Sequence, residues 1–149
     1  MARKYDAPKR PIDKESLLIT TSALGTTQDS TAIRTSTVAE TYTGGHISMT
    51  IARNAGGGQY VCALVVIPEG LTIPTLSTTD ATPLYTPEEH VVWQFAIYIS
   101  SAVVEPIVIR DRLKAMRKMK NGDRLMLVQK SSAASMVNTT AVVTSFFKQ

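Results

Sequence analysis

The run RDRLKAMRKMKNGDR, residues 110–124, places seven cations within fifteen residues, with only Asp111 and Asp123 between them. Guanidinium and ammonium groups at this density neutralise phosphates, and few aromatic residues accompany them, so they would hold a nucleic acid without reading its bases. A groove for stacked single strands asks for Tyr, Trp or Phe beside the cations, and the run offers little of that. Arg110, Arg112, Lys114, Arg117, Lys118 and Lys120 are the phosphate-binding candidates, though the same run also reads as a solvated connection that avoids sticky contacts. A second basic group, Arg3, Lys4, Lys9, Arg10 and Lys14, of which the first four are phosphate-binding candidates, lies among Pro8 and Pro11 in a stretch without periodicity. Residues 1–14 therefore read as a flexible basic arm, either a plain terminus or a short strap for phosphates.

Catalytic constellations are weak. His46 and His90 have no partner set spaced for a triad or a metal cluster. Asp80, Glu88, Glu89 and His90 gather oxygen and imidazole groups, but their spacing resembles no calcium loop. The remaining acids are too scattered to supply the paired carboxylates of sugar hydrolysis. No catalytic, cofactor or metal residue is assigned, and the chain is read as a non-enzyme that needs no cofactor. Cys62, alone in an apolar run, reads as a buried small hydrophobe suited to a reducing compartment.

The elements that must carry these residues are short and β-rich. Eight runs of β-branched and aromatic residues, 17–24, 32–41, 46–53, 60–67, 91–99, 103–112, 124–131 and 139–147, are closed by Gly, Pro, Asn or Ser/Thr clusters. They predict an all-β single jelly roll of eight antiparallel strands in two four-stranded sheets, filling 15–149 as one domain. The first strand should pair with the last, and 60–67 with 91–99. Alternation puts Trp93, Phe95 and Ile97 on a buried face, with Gln94 and Tyr98 opposite. Residues 60–67 are apolar on both faces, which predicts cover on both sides, the second cover being sought in a neighbouring subunit. Asn54–Gly58 and Lys120–Asp123 read as hairpin-like turns. The long loop 68–90, with four prolines among Thr and Ser, reads as subunit-facing, with Thr75, Leu84 and Tyr85 as interface candidates. Charged residues make up 19% of the chain against 44% hydrophobic, and such a low charge suits a surface hidden against copies of itself. The net charge of +4 suits an acidic partner. A polar start and the lack of a bilayer-length apolar run predict synthesis inside a cell and no membrane contact.

The succession GGGQYVCALVVIPEG, PTLSTTDATPLYTPEEHVVW, KAMRKMKNGDRLMLV and TTAVVTSFFKQ resembles the small single-jelly-roll capsid proteins of circular, Rep-encoding single-stranded DNA viruses. The matching positions are Pro68 to Gly70, Tyr85, Pro87, Glu88, Val91, Trp93, Arg117, Lys118, Gly122 and Asp123. The resemblance implies a coat protein that self-assembles into an icosahedral shell around nucleic acid, found in the virion and made inside the host cell. It departs from the family at the arm, which is short and mixed where many relatives carry a long Arg-rich segment. A jelly-roll carbohydrate-binding module is the alternative, its Thr-rich face and Tyr/Trp content serving as a sugar platform. A cupin-type enzyme would need a His/Glu metal set that is not in the sequence.

Overall fold

The computed structural model describes residues 11–73, 75–79 and 88–149. Nine strands occupy most of them: β1 (Ile12–Leu24), β2 (Asp29–Thr35), β3 (Glu40–Arg53), β4 (Gly58–Ile67), β5 (Val91–Ile99), β6 (Ile107–Leu113), β7 (Arg117–Met119), β8 (Arg124–Ser131) and β9 (Val137–Lys148). The first sheet runs β1-β9-β3-β6, with short β7 also on β3; the second runs β2-β8-β4-β5. All pairings are antiparallel. With β7 set aside, first pairs with last, second with second-last, third with third-last, and the middle two with each other. That nesting is a long hairpin rolled up, the jelly roll expected from the sequence. Both anticipated pairings, β1 with β9 and β4 with β5, are present.

Several boundaries differ from the sequence reading, each for a local reason. β1 starts at Ile12, so Asp13 and Lys14 belong to the sheet and not to an arm ending at residue 14; they are paired with Phe147 and Phe146. The run 32–41 splits at Ser36–Ala39, where the chain crosses from one sheet to the other. β6 waits until Ile107 because Pro106 has no N–H to give a ladder. The Asn54–Gly58 and Lys120–Asp123 turns form, but each joins strands of opposite sheets, so neither is a hairpin. β7 makes the first sheet five-stranded where four were expected.

Inward side chains of both sheets build the core around Tyr42, Tyr60, Ile47, Met49, Leu64 and Phe147, all essentially inaccessible. β3 bulges after Tyr42, and there Gly44 takes a φ of 109°. A Cβ at Gly44 would lie 2.2 Å from the Leu113 carbonyl oxygen, so only glycine lets β6 approach. Trp93, Phe95 and Ile97 do face inward, yet they remain half-buried because β5 is an edge strand.

β4 is buried on both faces, as its sequence predicts. Its second cover, however, is not a neighbouring subunit but the chain itself. Leu76, with Ile73, lies over Val61, Ala63, Val65 and Ile67 of β4 and Met126 and Val128 of β8. Three hydrogen bonds fasten this strap: Leu76 N–H to Gln28 Oε1 at 2.7 Å, Arg124 Nη2 to the Leu71 carbonyl at 2.9 Å, and Lys130 Nζ to the Leu76 carbonyl at 3.4 Å. Thr75 is exposed on the strap, whereas Leu84 and Tyr85 lie outside the described residues.

The two open margins of the sandwich are clamped differently. At the β1/β2 margin, Arg34 of β2 crosses to the other sheet and meets Asp13, Glu15 and Glu40 at 3.4, 2.9 and 2.6 Å. Its guanidinium lies 4.4 Å from the centroid of the Phe147 ring. At the β5/β6 margin, Trp93 Nε1 donates to Asp111 Oδ2 at 2.8 Å. Between them a polar chain, buried at Tyr60, Gln129 and Thr139 and half-buried at Thr21 and Asp29, links the layers. Tyr60 Oη and Thr139 Oγ1 both donate to Gln129 Oε1 at 2.8 Å, and Thr21 Oγ1 donates to Asp29 Oδ2 at 3.0 Å.

Burial pushes the Glu40 carboxyl upward, but the hydrogen bonds from Arg34 and Ser36 and the Arg34 charge outweigh it and hold the group below its usual range. The stability this pair contributes is therefore complete above the ordinary glutamate range and is lost as pH falls through the depressed folded value. Arg34→Ala would strand a buried carboxylate and should cost about 3–5 kcal/mol in denaturant unfolding. The same variant should lose the Glu40 share of the wild-type protein's acid-induced drop in stability below about pH 4, while Asp111 keeps its own; an unchanged acid limb would show that Glu40 does not contribute to it. Burial also pushes the Cys62 thiol up to about 12. A thiol reagent at neutral pH should leave Cys62 unmodified until the protein is unfolded.

Candidate nucleic-acid interface

Pairing register decides which cations share a surface. On the outer face of the β1-β9-β3-β6 sheet, Ser16, Thr144, His46 and Arg112 form one row across the strands, and Leu18, Val142, Ser48 and Arg110 the next. Thr20, Thr140, Thr50 and Val108 follow on one side, and Lys14, Phe146 and Gly44 on the other. At the end of the sheet Thr41 pairs with Lys118 of β7 on one flank and Lys148 of β9 on the other. The face thus holds Lys14, Arg110, Arg112, Lys118 and Lys148 on a floor of threonine and serine interrupted by exposed Leu18, Val142 and Val108.

Carboxylates are absent from this face among the described residues, and strand parity is the cause. Asp13, Glu15, Glu40 and Asp111, the acids of the sheet's own strands, pair with the buried Phe147, Ser145, Met119 and Ile47, so all four stand on the inward side. Three are gathered by Arg34 and the fourth by Trp93. The hydrogen bonds from the Trp93 indole and the Arg112 backbone N–H keep the Asp111 carboxyl below its ordinary range, so it stays charged but turned away. Among the described residues every ion pair belongs to Arg34, which leaves the outer cations without a carboxylate.

Of the sequence candidates, Arg110, Arg112 and Lys118 are brought together here, while Lys114 and Lys120 are exposed in the connections on either side of β7. Arg117 is not part of the face. It stands on inward parity opposite Tyr42 and donates to the Met116 and Val91 carbonyls at 2.9 and 3.0 Å, a structural tie to the second sheet. Arg124 likewise holds the Leu71 strap. Arg3, Lys4, Lys9 and Arg10 lie outside the described residues; the chain that follows them enters the sheet at Ile12, opposite Lys148.

Sequence reasoning missed Lys148, Lys14 as a sheet residue, and an aromatic pair. Phe146 and His46 both point outward, with ring centroids 6.0 Å apart and planes at 84°. Strict alternation along 137–148 would have found Phe146 and Lys148 on the face opposite Phe147. Of the described Tyr and Trp side chains expected to build a sugar platform, Tyr42 and Tyr60 are buried, Trp93 faces inward and Tyr98 is exposed on β5 of the other sheet.

No family model matches the chain, and no curated protein matches it. Among solved structures, one chain from the structure of infectious bursal disease virus Gx strain is similar with a TM-score of 0.31 and 11% identity. The match covers 90% of this chain and 32% of the viral chain, so this chain spans about a third of that chain's length.

Proposed function

We propose that the protein is a viral coat protein, a jelly-roll subunit that assembles with copies of itself into a closed icosahedral shell and is not an enzyme. In this reading the outer face of the β1-β9-β3-β6 sheet lines the interior and contacts nucleic acid through phosphates, the arm residues adding to it. The single observation that carries the reading is the sorting of charge across that sheet: among the described residues its outer face holds five cations and no side-chain carboxylate, every carboxylate of its strands standing inward. A face of this kind attracts a polyanion by counterion release and offers little base-edge recognition. The motif order in the sequence supports the coat assignment independently.

Lateral contacts would come from surfaces rich in apolar and weakly polar groups. The β5/β6 margin supports this, since Tyr98, Val104 and Val108 are exposed there beside half-buried Trp93, Phe95 and Ile97. Thr75 on the strap, with Leu84 and Tyr85 in the same loop, belongs to the same proposed contacts. Copies joined through such margins would turn individually weak phosphate contacts into strong collective binding. The virion, formed after synthesis inside the host cell, is the proposed location.

Purified protein examined by light scattering and negative-stain imaging should show closed particles; a monomer at high concentration overturns the coat reading. Replacing Arg110 and Arg112 together with Gln should flatten the salt dependence of nucleic-acid binding by about 1.4–1.8 in log–log slope, at ~0.7–0.9 per lost contact. Arg117→Gln should leave that slope unchanged, because its guanidinium serves the second sheet. A slope that responds to Arg117 and ignores Arg110 and Arg112 would place the polyanion on another surface.

A further inference from the structure

We infer that Phe146 and His46 form a stacking site for the bases of single-stranded nucleic acid, set within the cationic face. The inference rests on the proposed nucleic-acid face and names the kind of strand that it takes.

Phe146 does no core work. The core ring at this end of β9 is Phe147, tilted against Tyr42 at 5.6 Å, and Phe146 stands on the opposite parity among threonines and cations. Its cross-strand neighbours are Lys14 and Gly44. Gly44 carries no side chain, and β6 backbone approach forbids one, so no β3 side chain stands beside the ring at that register position. His46 is exposed in the adjoining row, opposite Thr144 and Arg112, and meets Phe146 nearly at right angles. Two perpendicular rings make a notch in which a planar base can stack on one ring and present its edge to the other. Lys14 and Arg112 flank the notch on either side, placed to neutralise the phosphates that precede and follow the stacked base. Bases already stacked inside a duplex cannot enter it, whereas a flexible single strand can.

Fluorescence anisotropy with the full chain tests this, using a thymidylate oligomer, an abasic oligomer of equal length and phosphate count, and a duplex of that length. The wild type should bind the thymidylate oligomer about tenfold more tightly than the abasic one, the effect of stacking a base on an aromatic side chain. Phe146→Leu, which keeps an apolar group of moderate size, should erase that preference and leave the abasic affinity and the duplex affinity as they were. His46→Ser, at an exposed position, should reduce the preference without touching the fold, and so guards against a folding defect in the first variant. Equal wild-type affinity for thymidylate and abasic oligomers overturns the stacking site while leaving the phosphate face standing. No binding of any oligomer overturns the face itself, and with it this inference.

Discussion

The buried pair of Arg34 and Glu40 is the constraint around which the sandwich is organised. Glu40 has no exposed side-chain surface, and an isolated carboxylate in that position would not be tolerated. Arg34 answers it with two hydrogen bonds, from Nε at 2.8 Å and Nη2 at 2.6 Å, while Ser36 supplies a third. Because Arg34 belongs to β2 and Glu40 to β3, this exchange fixes how one sheet sits over the other. The remaining guanidinium N–H groups reach Glu15 and Asp13 on β1, and the flat cation covers the Phe147 ring. One side chain therefore closes a margin, roofs the core and neutralises the three carboxylates that strand parity turns inward. The positive character of the opposite face depends on that parity as much as on its own lysines and arginines.

Much of the fold was legible in the residues because alternation is a local property. Val91–Ile99 reads its two faces directly, and β3 and β9 show the same period. The apolar character of both faces of β4 was also legible, but not the identity of the cover, since Leu76 arrives from a proline-rich segment with no periodicity of its own. Turn chemistry at Asn54–Gly58 and Lys120–Asp123 was visible as well. Whether a turn closes a hairpin or arches between layers depends on pairings made far away in the chain. Asp123 illustrates this: within the turn its side chain accepts from the Lys120 N–H, but it also accepts from the Glu69 N–H and its carbonyl from the Ser36 N–H, two distant segments that no local pattern brings together.

The candidate surface was harder to read, because a dense cation run says nothing about direction. Arg117 and Lys118 are adjacent and chemically similar, yet one ties the two sheets together and the other faces out, since successive strand residues point oppositely. Arg124 is drawn away to a carbonyl of the strap. The face gained instead Lys14 and Lys148, which are distant from the run in sequence and reach it only through the β1–β9 and β3–β9 registers. The Phe146–His46 pair was hidden for the same reason: in SFFK, two adjacent phenylalanines look equally suited to the core until register assigns one to each side.

The position of β9 has a consequence for the order of events in folding. It is the middle strand of the charged sheet, lying between β1 and β3, and the side chains of Ser16 and Thr144 meet across 128 residues of sequence. During synthesis β1 and β3 must both wait with open edges until this late strand is available, and closing such distant pairs is slow. A ribosome-bound chain lacking β9 has no closed sheet: β3, β6 and β7 can hold Arg110, Arg112 and Lys118, but Lys148 is missing and Lys14 on β1 is cut off from them. The full set of outward cations, from Lys14 on β1 to Arg112 on β6, is thus gathered on one continuous surface only when β9 is inserted between β1 and β3.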